Sequence, residues 1–177
     1  MPSSVEKKTA SIEAIIFDVD GVLTSGAIIY GPDGEWKIFN VQDGHGFKMA
    51  ARAGLKLGVL TGRSSPVVDR RMKELGVEFY EQGAMNKGEA LPRLLKKMGV
   101  NAERACYVGD DVIDLPAMRL AGLSVAVANA VEEVKAAANL VTQKKGGEGA
   151  AREVIERVLK ARGLWDGVMK RYTEDAE

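Results

Sequence analysis

Two aspartates at the end of an apolar run are the residues of this sequence best placed to do chemistry. The run Ala14–Phe17 is wholly apolar, which is typical of a strand buried on both faces of a parallel sheet, and Asp18 and Asp20 follow it. Ligands of open α/β sheets bind beyond the carboxyl ends of the strands, and side chains two positions apart leave a strand on the same side. Two such carboxylates repel each other unless a cation or a shared proton lies between them. The pair therefore indicates a metal site or acid–base chemistry, with an ordinary turn or helix cap as the alternative.

Further polar residues follow the later predicted strands. Thr61 comes after a second predicted buried strand at 55–60, and Lys87 opens the helix that follows a predicted strand at 77–80. Carboxyl ends of parallel strands share one edge of a sheet, so we expect these residues to converge on the first pair. A fourth predicted strand at 105–108 adds three aspartates to the set: Asp110, Asp111 and Asp114. Each residue has an ordinary alternative role: Thr61 as a helix cap, Lys87 as a surface lysine, and Asp111 and Asp114 as acids in the first turn of a helix.

This set of residues favours magnesium and phosphoryl transfer. Carboxylate oxygens without a nearby cluster of His or Cys suit Mg²⁺ rather than zinc. Mg²⁺ also tends to share its coordination shell with a substrate phosphate. A carboxylate nucleophile, a neighbouring acid/base, a hydroxyl and a lysine are the groups that transfer through an aspartyl phosphate requires.

Four ordered motifs resemble those of the haloacid dehalogenase superfamily: Asp18-Val-Asp-Gly21, Thr61-Gly-Arg63, Lys87 and Gly109-Asp-Asp-x-x-Asp114. The resemblance implies that Asp18 is the nucleophile that becomes phosphorylated. It implies that Asp20 protonates the leaving alkoxide and then activates water. It also implies that Thr61 and Lys87 hold the phosphoryl oxygens and offset their developing charge.

The same resemblance implies a ligand set for Mg²⁺. Asp18, the backbone carbonyl of Asp20 and Asp110 would bind the ion, and Asp111 and Asp114 would support that shell or Lys87.

The alternation of strands and helices predicts an α/β fold with a doubly wound, mostly parallel sheet. The 177 residues suffice for one domain, and the spacing between the motifs is too short for a separate cap domain. Two β-rich runs around a Gly-Pro-Asp-Gly turn predict a hairpin at about 27–41, either a flap over the site or an ordinary edge hairpin. We expect residues 1–12 to be loose and residues 163–177 to form a polar tail.

Composition argues against nucleic-acid and membrane partners. Twenty-five basic residues balance twenty-five acidic ones, and no apolar run is long enough to span a bilayer. The start of the chain does not read as a signal peptide, and the single cysteine, Cys106, suits a reducing compartment. We therefore expect a cytoplasmic protein.

Five longer segments carry a finer resemblance: 17–24, 43–46, 60–64, 108–116 and 146–153. They resemble one capless family, the 3-deoxy-D-manno-octulosonate 8-phosphate phosphatases. This resemblance implies hydrolysis of that sugar-acid phosphate in lipopolysaccharide precursor synthesis. It implies a homotetramer in which the hairpins pack together centrally and a neighbour's C-terminal segment closes each site. The alternatives are a nonulosonate 9-phosphate phosphatase, a non-catalytic assembly subunit, and a monomer with a frayed tail.

Several residues near these motifs are candidate substrate contacts. Arg63 has the planar fork that binds a carboxylate or phosphate, although a structural ion pair is an equal alternative. Arg152 is either an anion contact or a helix-surface residue, and His45 is either a substrate contact or a loop residue between glycines. Asn129 stands where the family usually has aspartate, a departure that bears on the exact substrate or on a supporting contact. The predicted substrate-binding set is Thr61, Gly62, Arg63, Lys87 and Arg152.

Overall fold

The computed structural model describes residues 3–32 and 34–173 and has an α/β fold. The strands are β1 (Ala14–Phe17), β2 (Ile29–Gly31), β3 (Gly34–Trp36), β4 (Lys56–Leu60), β5 (Phe79–Glu81), β6 (Ala105–Gly109), β7 (Leu123–Ala126) and β8 (Leu140–Val141). The α-helices are α1 (Ser4–Ala10), α2 (Val41–Arg52), α3 (Pro66–Leu75), α4 (Lys87–Met98), α5 (Leu115–Leu120), α6 (Glu132–Ala137), α7 (Ala150–Ala161) and α8 (Trp165–Thr173). Short 3₁₀ turns at Ala102–Arg104 and Val112–Asp114 flank β6.

Six parallel strands form the main sheet, in the order β5-β4-β1-β6-β7-β8. The central strand β1 is fully buried, as its apolar run predicts, and Phe17 lies opposite Val59 of β4 and Val108 of β6. Helices flank the sheet: α1 and α2 both contact α7, and α4 contacts α5. The chain leaves β1, β4 and β6 along one edge, which confirms the expected doubly wound fold and brings the motifs together.

The predicted hairpin is present but shorter than 27–41. Strands β2 and β3 form their own antiparallel sheet, in which Ile29 pairs with Trp36. Asp33, in the predicted turn, lies outside the described residues. Tyr30 in the hairpin and Ile38 just after it are exposed by 80% and 72%, so the described part of the chain leaves much of the apolar surface of this segment uncovered.

The expectation that residues 1–12 are loose is wrong for most of the segment. Ser3 and Glu6 form a reciprocal capping box at the start of α1, in which each side chain accepts a bond from the other's backbone N–H. Helix α1 packs against α7, and Thr9 is buried there. The polar sequence hides this helix because a distant partner covers its apolar side. Residues 1 and 2 lie outside the described residues.

The segment around His45 is helical, so the expectation of a loop between glycines is wrong. Helix α2 begins at Val41, and the side chain of Asn40 caps it by accepting from the Gln42 N–H at 2.7 Å. A Cβ at Gly46 would lie 2.9 Å from Cδ of Arg152 in α7. Close packing of the two helices therefore requires a glycine within α2.

The C-terminal residues form a helix rather than an irregular polar tail, as far as the structure describes them. Helix α8 spans Trp165–Thr173, and Lys160 lies 4.6 Å from the centre of the Trp165 ring. The Tyr172 hydroxyl accepts a hydrogen bond from Arg52 and lies 3.1 Å from Nε2 of His45. The helix thus docks on α2 of its own chain. Residues 174–177 of the predicted tail lie outside the described residues.

No helix among the described residues combines the length and apolar character needed to cross a bilayer.

Candidate active site

Asp18 lies directly beyond the buried end of β1, and its side chain is 6% exposed. Its backbone N–H donates to the carbonyl of Val108, which continues the pairing of β1 with β6 past the last strand residue. Its carboxylate accepts from the Val19 N–H at 2.7 Å through Oδ1. Burial raises the pKa of Asp18 to about 6; the positive charge of Lys87 opposes this effect, whereas Asp114 adds to it. The carboxylate is therefore held rigidly and poorly solvated.

Lys87, the first residue of α4, brings a buried positive charge to this carboxylate. Its ammonium group lies 2.7 Å from Oδ2 of Asp18 and 2.6 Å from Oδ1 of Asp114. Burial alone would lower the pKa of Lys87, but the two carboxylates outweigh burial and raise the pKa above its usual value. Lys87 is therefore a permanent cation beside Asp18.

Asp114 fixes the position of that cation. Besides Lys87, its Oδ1 accepts a hydrogen bond from the buried Tyr107 hydroxyl at 2.8 Å. Its Oδ2 accepts from the backbone N–H groups of Asp110 and Asp111 at 2.9 and 3.2 Å. Burial and the charge of Asp114 raise the pKa of Tyr107 well above its usual value, so the phenol remains a donor. Both oxygens of Asp114 are thus engaged in holding the loop after β6 and Lys87.

Asp110 completes a cluster of carboxylates with Asp18 and Asp114, whose oxygens lie within 4.8 Å of one another. Its Oδ1 is buried and has no hydrogen-bond partner in the structure. Burial, followed by repulsion from Asp114 and Asp18, raises the pKa of Asp110 to about 7. Gly21 allows this approach, since a Cβ there would lie 1.9 Å from Oδ2 of Asp110. A buried carboxylate oxygen without a donor, beside a second carboxylate, fits a hard divalent cation such as Mg²⁺.

Asp20 lies outside this cluster of carboxylate oxygens and faces the hairpin. Its Oδ1 is 2.5 Å from Nζ of Lys37, and its Oδ2 is 3.6 Å from Nε of Arg63. Glu35 of β3 links the two cations, 3.4 Å from Lys37 and 2.7 Å from Arg63. Although desolvation opposes it, the bond from Arg63 and the charge of Lys37 lower the pKa of Glu35. These four side chains tie the hairpin to the end of β1.

Thr61 and Gly62 follow β4 on the other side of β1. Thr61 is 2% exposed, its N–H donates to the carbonyl of Glu81, and its carbonyl accepts from Ala84. Both bonds fix the turn beside Asp18. The expected neighbourhood of Thr61, Lys87 and Asp110 around Asp18 follows from the order of the strands.

Comparison with known proteins identifies the family of the chain. A model of haloacid dehalogenase-like hydrolases matches residues 81–154. A 3-deoxy-D-manno-octulosonate 8-phosphate phosphatase of Haemophilus influenzae is 43% identical over 160 residues, which are 90% of this chain and 89% of the relative. Its counterpart in Escherichia coli K12 is 42% identical over 165 residues, which are 93% of this chain and 88% of the relative. The chain belongs to the 3-deoxy-D-manno-octulosonate 8-phosphate phosphatase family. It is therefore a phosphoric monoester hydrolase of the haloacid dehalogenase superfamily.

Solved structures of this phosphatase family share the fold. The Moraxella catarrhalis enzyme, in complex with magnesium, phosphate and a KDO molecule, superposes with a TM-score of 0.92 at 42% identity. The superposition covers 96% of this chain and 98% of the Moraxella chain. The cobalt-bound form of the Haemophilus influenzae enzyme gives a TM-score of 0.87 at 43% identity, with coverage of 89% and 93%.

Three other residues singled out in the sequence, Arg152, His45 and Asn129, make their contacts away from Asp18. The Arg152 N–H donates to Asp43 at 2.7 Å, and the Arg152 guanidinium pairs with Glu156 of its own helix. His45 is exposed on α2, next to Tyr172. None of these bonds reaches Asp18. Asn129 lies closer to the site and links two loops, because its amide donates to the Gly21 carbonyl and accepts from the N–H of Gly146.

The exposed Asp111 forms a local cap beside the cluster. Its Oδ1 accepts from the Val112 N–H at 2.7 Å, whereas Asp114 is the aspartate that contacts Lys87.

Sequence reasoning missed Tyr107, Lys37 and Glu35. Tyr107 lies within an apolar strand and reads as a core residue, although a buried tyrosine hydroxyl requires a hydrogen-bond partner. Lys37 and Glu35 alternate with apolar residues in the hairpin and read as its solvent face. The sequence did contain one indication of their role: Glu35 and Lys37 are opposite charges two positions apart, close in sequence to a predicted acidic site.

Proposed function

We propose that this phosphatase hydrolyses 3-deoxy-D-manno-octulosonate 8-phosphate, with Mg²⁺ as cofactor, through a phosphorylated Asp18. The observation that carries the proposal is the buried Asp18, held between Lys87 and the orphaned oxygen of Asp110. The names of relatives at 43% and 42% identity over most of the chain support the substrate.

The proposed reaction has two half-reactions. The carboxylate of Asp18 attacks phosphorus, the bond to the sugar oxygen breaks, and Asp20 donates a proton to that oxygen. Water then attacks the acyl phosphate while Asp20 takes its proton, which releases phosphate and restores Asp18. Lys87 offsets negative charge on the phosphoryl oxygens in both steps, and Thr61 donates to them.

The carboxylates of Asp18 and Asp110 and the backbone carbonyl of Asp20 would hold Mg²⁺. The bound ion would draw negative charge from the phosphoryl group and lower the repulsion between that group and Asp18. Asp114 is less suited as a direct ligand because four donors already occupy its oxygens. Its role is to position Lys87 and the loop that carries Asp110.

The substrate is a sugar acid, so a cation must meet its carboxylate. Arg63 is the proposed contact because its side chain is 47% exposed beside Asp20 and can leave Glu35 when a second carboxylate arrives. We assign Gly62 and Arg152 to the same substrate surface, with Arg152 reaching it only if its pair with Glu156 opens.

We propose a homotetramer in which a neighbouring subunit closes the site with its C-terminal segment, as the family resemblance implies, and the exposed apolar hairpin supports contact between subunits. We further propose that the protein is one domain, acts in the cytoplasm and serves lipopolysaccharide precursor synthesis.

A substrate panel tests this function. We expect magnesium-dependent release of phosphate, with a higher kcat/KM for the eight-carbon 8-phosphate than for a nonulosonate 9-phosphate. Equal or reversed preference would overturn the substrate assignment. Activity that persists in Asp18→Asn would overturn the mechanism, and a wild-type protein without activity would favour an assembly subunit.

A further inference from the structure

Lys37 is a buried lysine without an assigned role, and it contacts the proposed acid/base. Its side chain is 2% exposed, and its ammonium group lies 2.5 Å from Oδ1 of Asp20 and 3.4 Å from Oε1 of Glu35. A buried ammonium group is strongly unfavourable unless it is paired. These two carboxylates therefore hold Lys37 inside the protein, at the base of the hairpin.

The two oxygens of Asp20 have different surroundings. Oδ1 is engaged by Lys37, whereas Oδ2 is buried without a hydrogen-bond partner. The Nε atom of Arg63 lies 3.6 Å from Oδ2, beyond hydrogen-bond distance, and the same guanidinium donates to Glu35 at 2.7 Å. An oxygen that already accepts a bond from an ammonium group is poorly placed to exchange a proton with a substrate. The geometry thus leaves Oδ2 as the oxygen available for proton transfer.

We propose that Lys37 is a positioning residue that holds Asp20 by Oδ1 and thereby directs Oδ2 to the reacting oxygen. The inference rests on the proposed function, in which Asp20 transfers the proton. As the bond from Asp18 to phosphorus forms, the bond to the leaving oxygen breaks, and the leaving oxygen takes its proton from Oδ2. In the second half-reaction Oδ2 takes a proton from water as the water oxygen attacks phosphorus and the bond to Asp18 breaks.

Glu35 extends this arrangement to the hairpin. It belongs to β3 and binds both Lys37 and Arg63, so a displacement of the hairpin moves the group that orients Asp20. The hairpin is thereby a part of the catalytic geometry, in addition to any role in assembly.

Leaving-group dependence tests the proposal, because kcat/KM reports the steps up to cleavage of the first phosphorus–oxygen bond. Phenolate is a poor leaving group that needs a proton donor, whereas 4-nitrophenolate leaves without one. We expect Lys37→Met to lower kcat/KM for phenyl phosphate about 100-fold, the usual contribution of a general acid, and that for 4-nitrophenyl phosphate less than about tenfold. Lys37→Arg should recover part of the loss, since a guanidinium can also donate to Oδ1.

Three controls separate positioning from other roles. Lys48→Met removes a half-buried lysine that donates to the Glu74 carbonyl and should leave both kcat/KM values unchanged. In an Asp20→Asn background, Lys37→Met should cause no further loss with phenyl phosphate. If Lys37→Met does not fold, as judged by its melting temperature, Glu35→Gln keeps the contact of Lys37 with Asp20 and should show the same selective loss, but smaller.

Equal losses with both aryl phosphates would overturn the proposal, since Lys37 would then act on the phosphoryl group itself. Unchanged values, or additive losses with Asp20→Asn, would overturn it as well. A wild-type protein that hydrolyses no phosphomonoester with Mg²⁺ would instead contradict the proposed function, so the two failures are distinguishable.

Discussion

Asp114 shows how a single side chain organises the site. Its oxygens accept from four donors, the side chains of Lys87 and Tyr107 and the N–H groups of Asp110 and Asp111. An asparagine at this position would have an NH₂ group in place of one carboxylate oxygen. That group cannot accept the hydrogen bonds of the donors that it would face. The charge of Lys87 would then be balanced by Asp18 alone.

Replacing Asp114 should therefore affect both stability and activity. We expect Asp114→Asn to lower the free energy of unfolding by about 3–5 kcal/mol, the cost of breaking a buried ion pair, and to reduce kcat strongly. Tyr107→Phe removes one neutral donor to the same charged oxygen and should cost about 1.5–3 kcal/mol. Urea denaturation and phosphate release measure these effects. Asp111→Asn, at an exposed position, is the matched control, and an equal loss there would contradict this account.

The two carboxyls with raised pKa values predict a pH dependence of stability without metal. In the folded protein the pKa of Asp18 is about 6 and that of Asp110 about 7, above their unfolded values. Their stabilising contribution is complete below the unfolded pKa and is lost as the pH rises through the folded values. The melting temperature of the metal-free protein should therefore fall between about pH 5 and about pH 7.5.

Mg²⁺ should reverse this trend, because it binds the ionised carboxylates and so raises the melting temperature more at the upper end of that range. Asp110→Asn should flatten the pH dependence of the metal-free protein. A stability that rises with pH in the metal-free wild type but not in Asp110→Asn would contradict these assignments.

At the scale of the elements, the loop before α7 packs tightly on the loop after β1. The Gly147 N–H donates to the carbonyl of Val22, and Asn129 links Gly146 to Gly21. A Cβ at Gly146 would lie 1.7 Å from the Gly21 carbonyl oxygen. The backbone next to Asp20 is thus held by a loop more than a hundred residues later in the chain.

Gly146→Ala should consequently displace the loop that carries Asp20. We expect a loss of about 1–3 kcal/mol in the free energy of unfolding, as for other overpacked sites, together with a lower kcat. Gly167→Ala is the control, because a Cβ there would meet no atom within 4 Å and alanine favours helix α8. Calorimetry and phosphate release measure both variants, and an unaltered Gly146→Ala protein would show that the loops are not coupled.

The elements also show what sequence reasoning could predict. The strand that carries Asp18 and the helix opened by Lys87 are encoded locally, by an apolar run and by helix-forming residues that end at Gly99. Helix α1 was missed because its apolar side is covered by α7, a partner distant in sequence. Helix α8 was missed because it buries no residue and is held partly by Arg52 and His45, which are distant in sequence. The predicted acids converge since parallel strands end at one edge. The contact of Lys37 with Asp20 depends on how the hairpin folds back, which no local pattern specifies.

At the scale of the whole molecule, the hairpin and the residues just after it present apolar side chains that residues 3–32 and 34–173 do not cover. Tyr30 is 80% exposed, Ile38 72% and Trp36 55%, a pattern that favours contact with further copies. The hairpin is also joined to the site through Lys37 and Glu35. Assembly and catalysis are therefore expected to depend on the same element.

Ile38→Glu should separate the subunits. We expect sedimentation velocity to give a tetramer for the wild type and smaller species for the variant, with reduced activity because each site loses its neighbour. Leu120→Glu, on α5 at a residue that is 45% exposed, is the matched control and should remain tetrameric. A wild type that is monomeric at assay concentration would contradict the proposed assembly.

The proposed reaction depends on a covalent intermediate at Asp18. The most direct measurement is acid quenching during turnover of substrate with a radiolabelled phosphoryl group, followed by identification of the labelled peptide. We predict label on the peptide that contains Asp18, lost on treatment with hydroxylamine, dependent on Mg²⁺ and absent from Asp18→Asn. Full turnover without protein-bound label in either the wild type or a slowed Asp20→Asn variant, or label at another residue, would contradict the account.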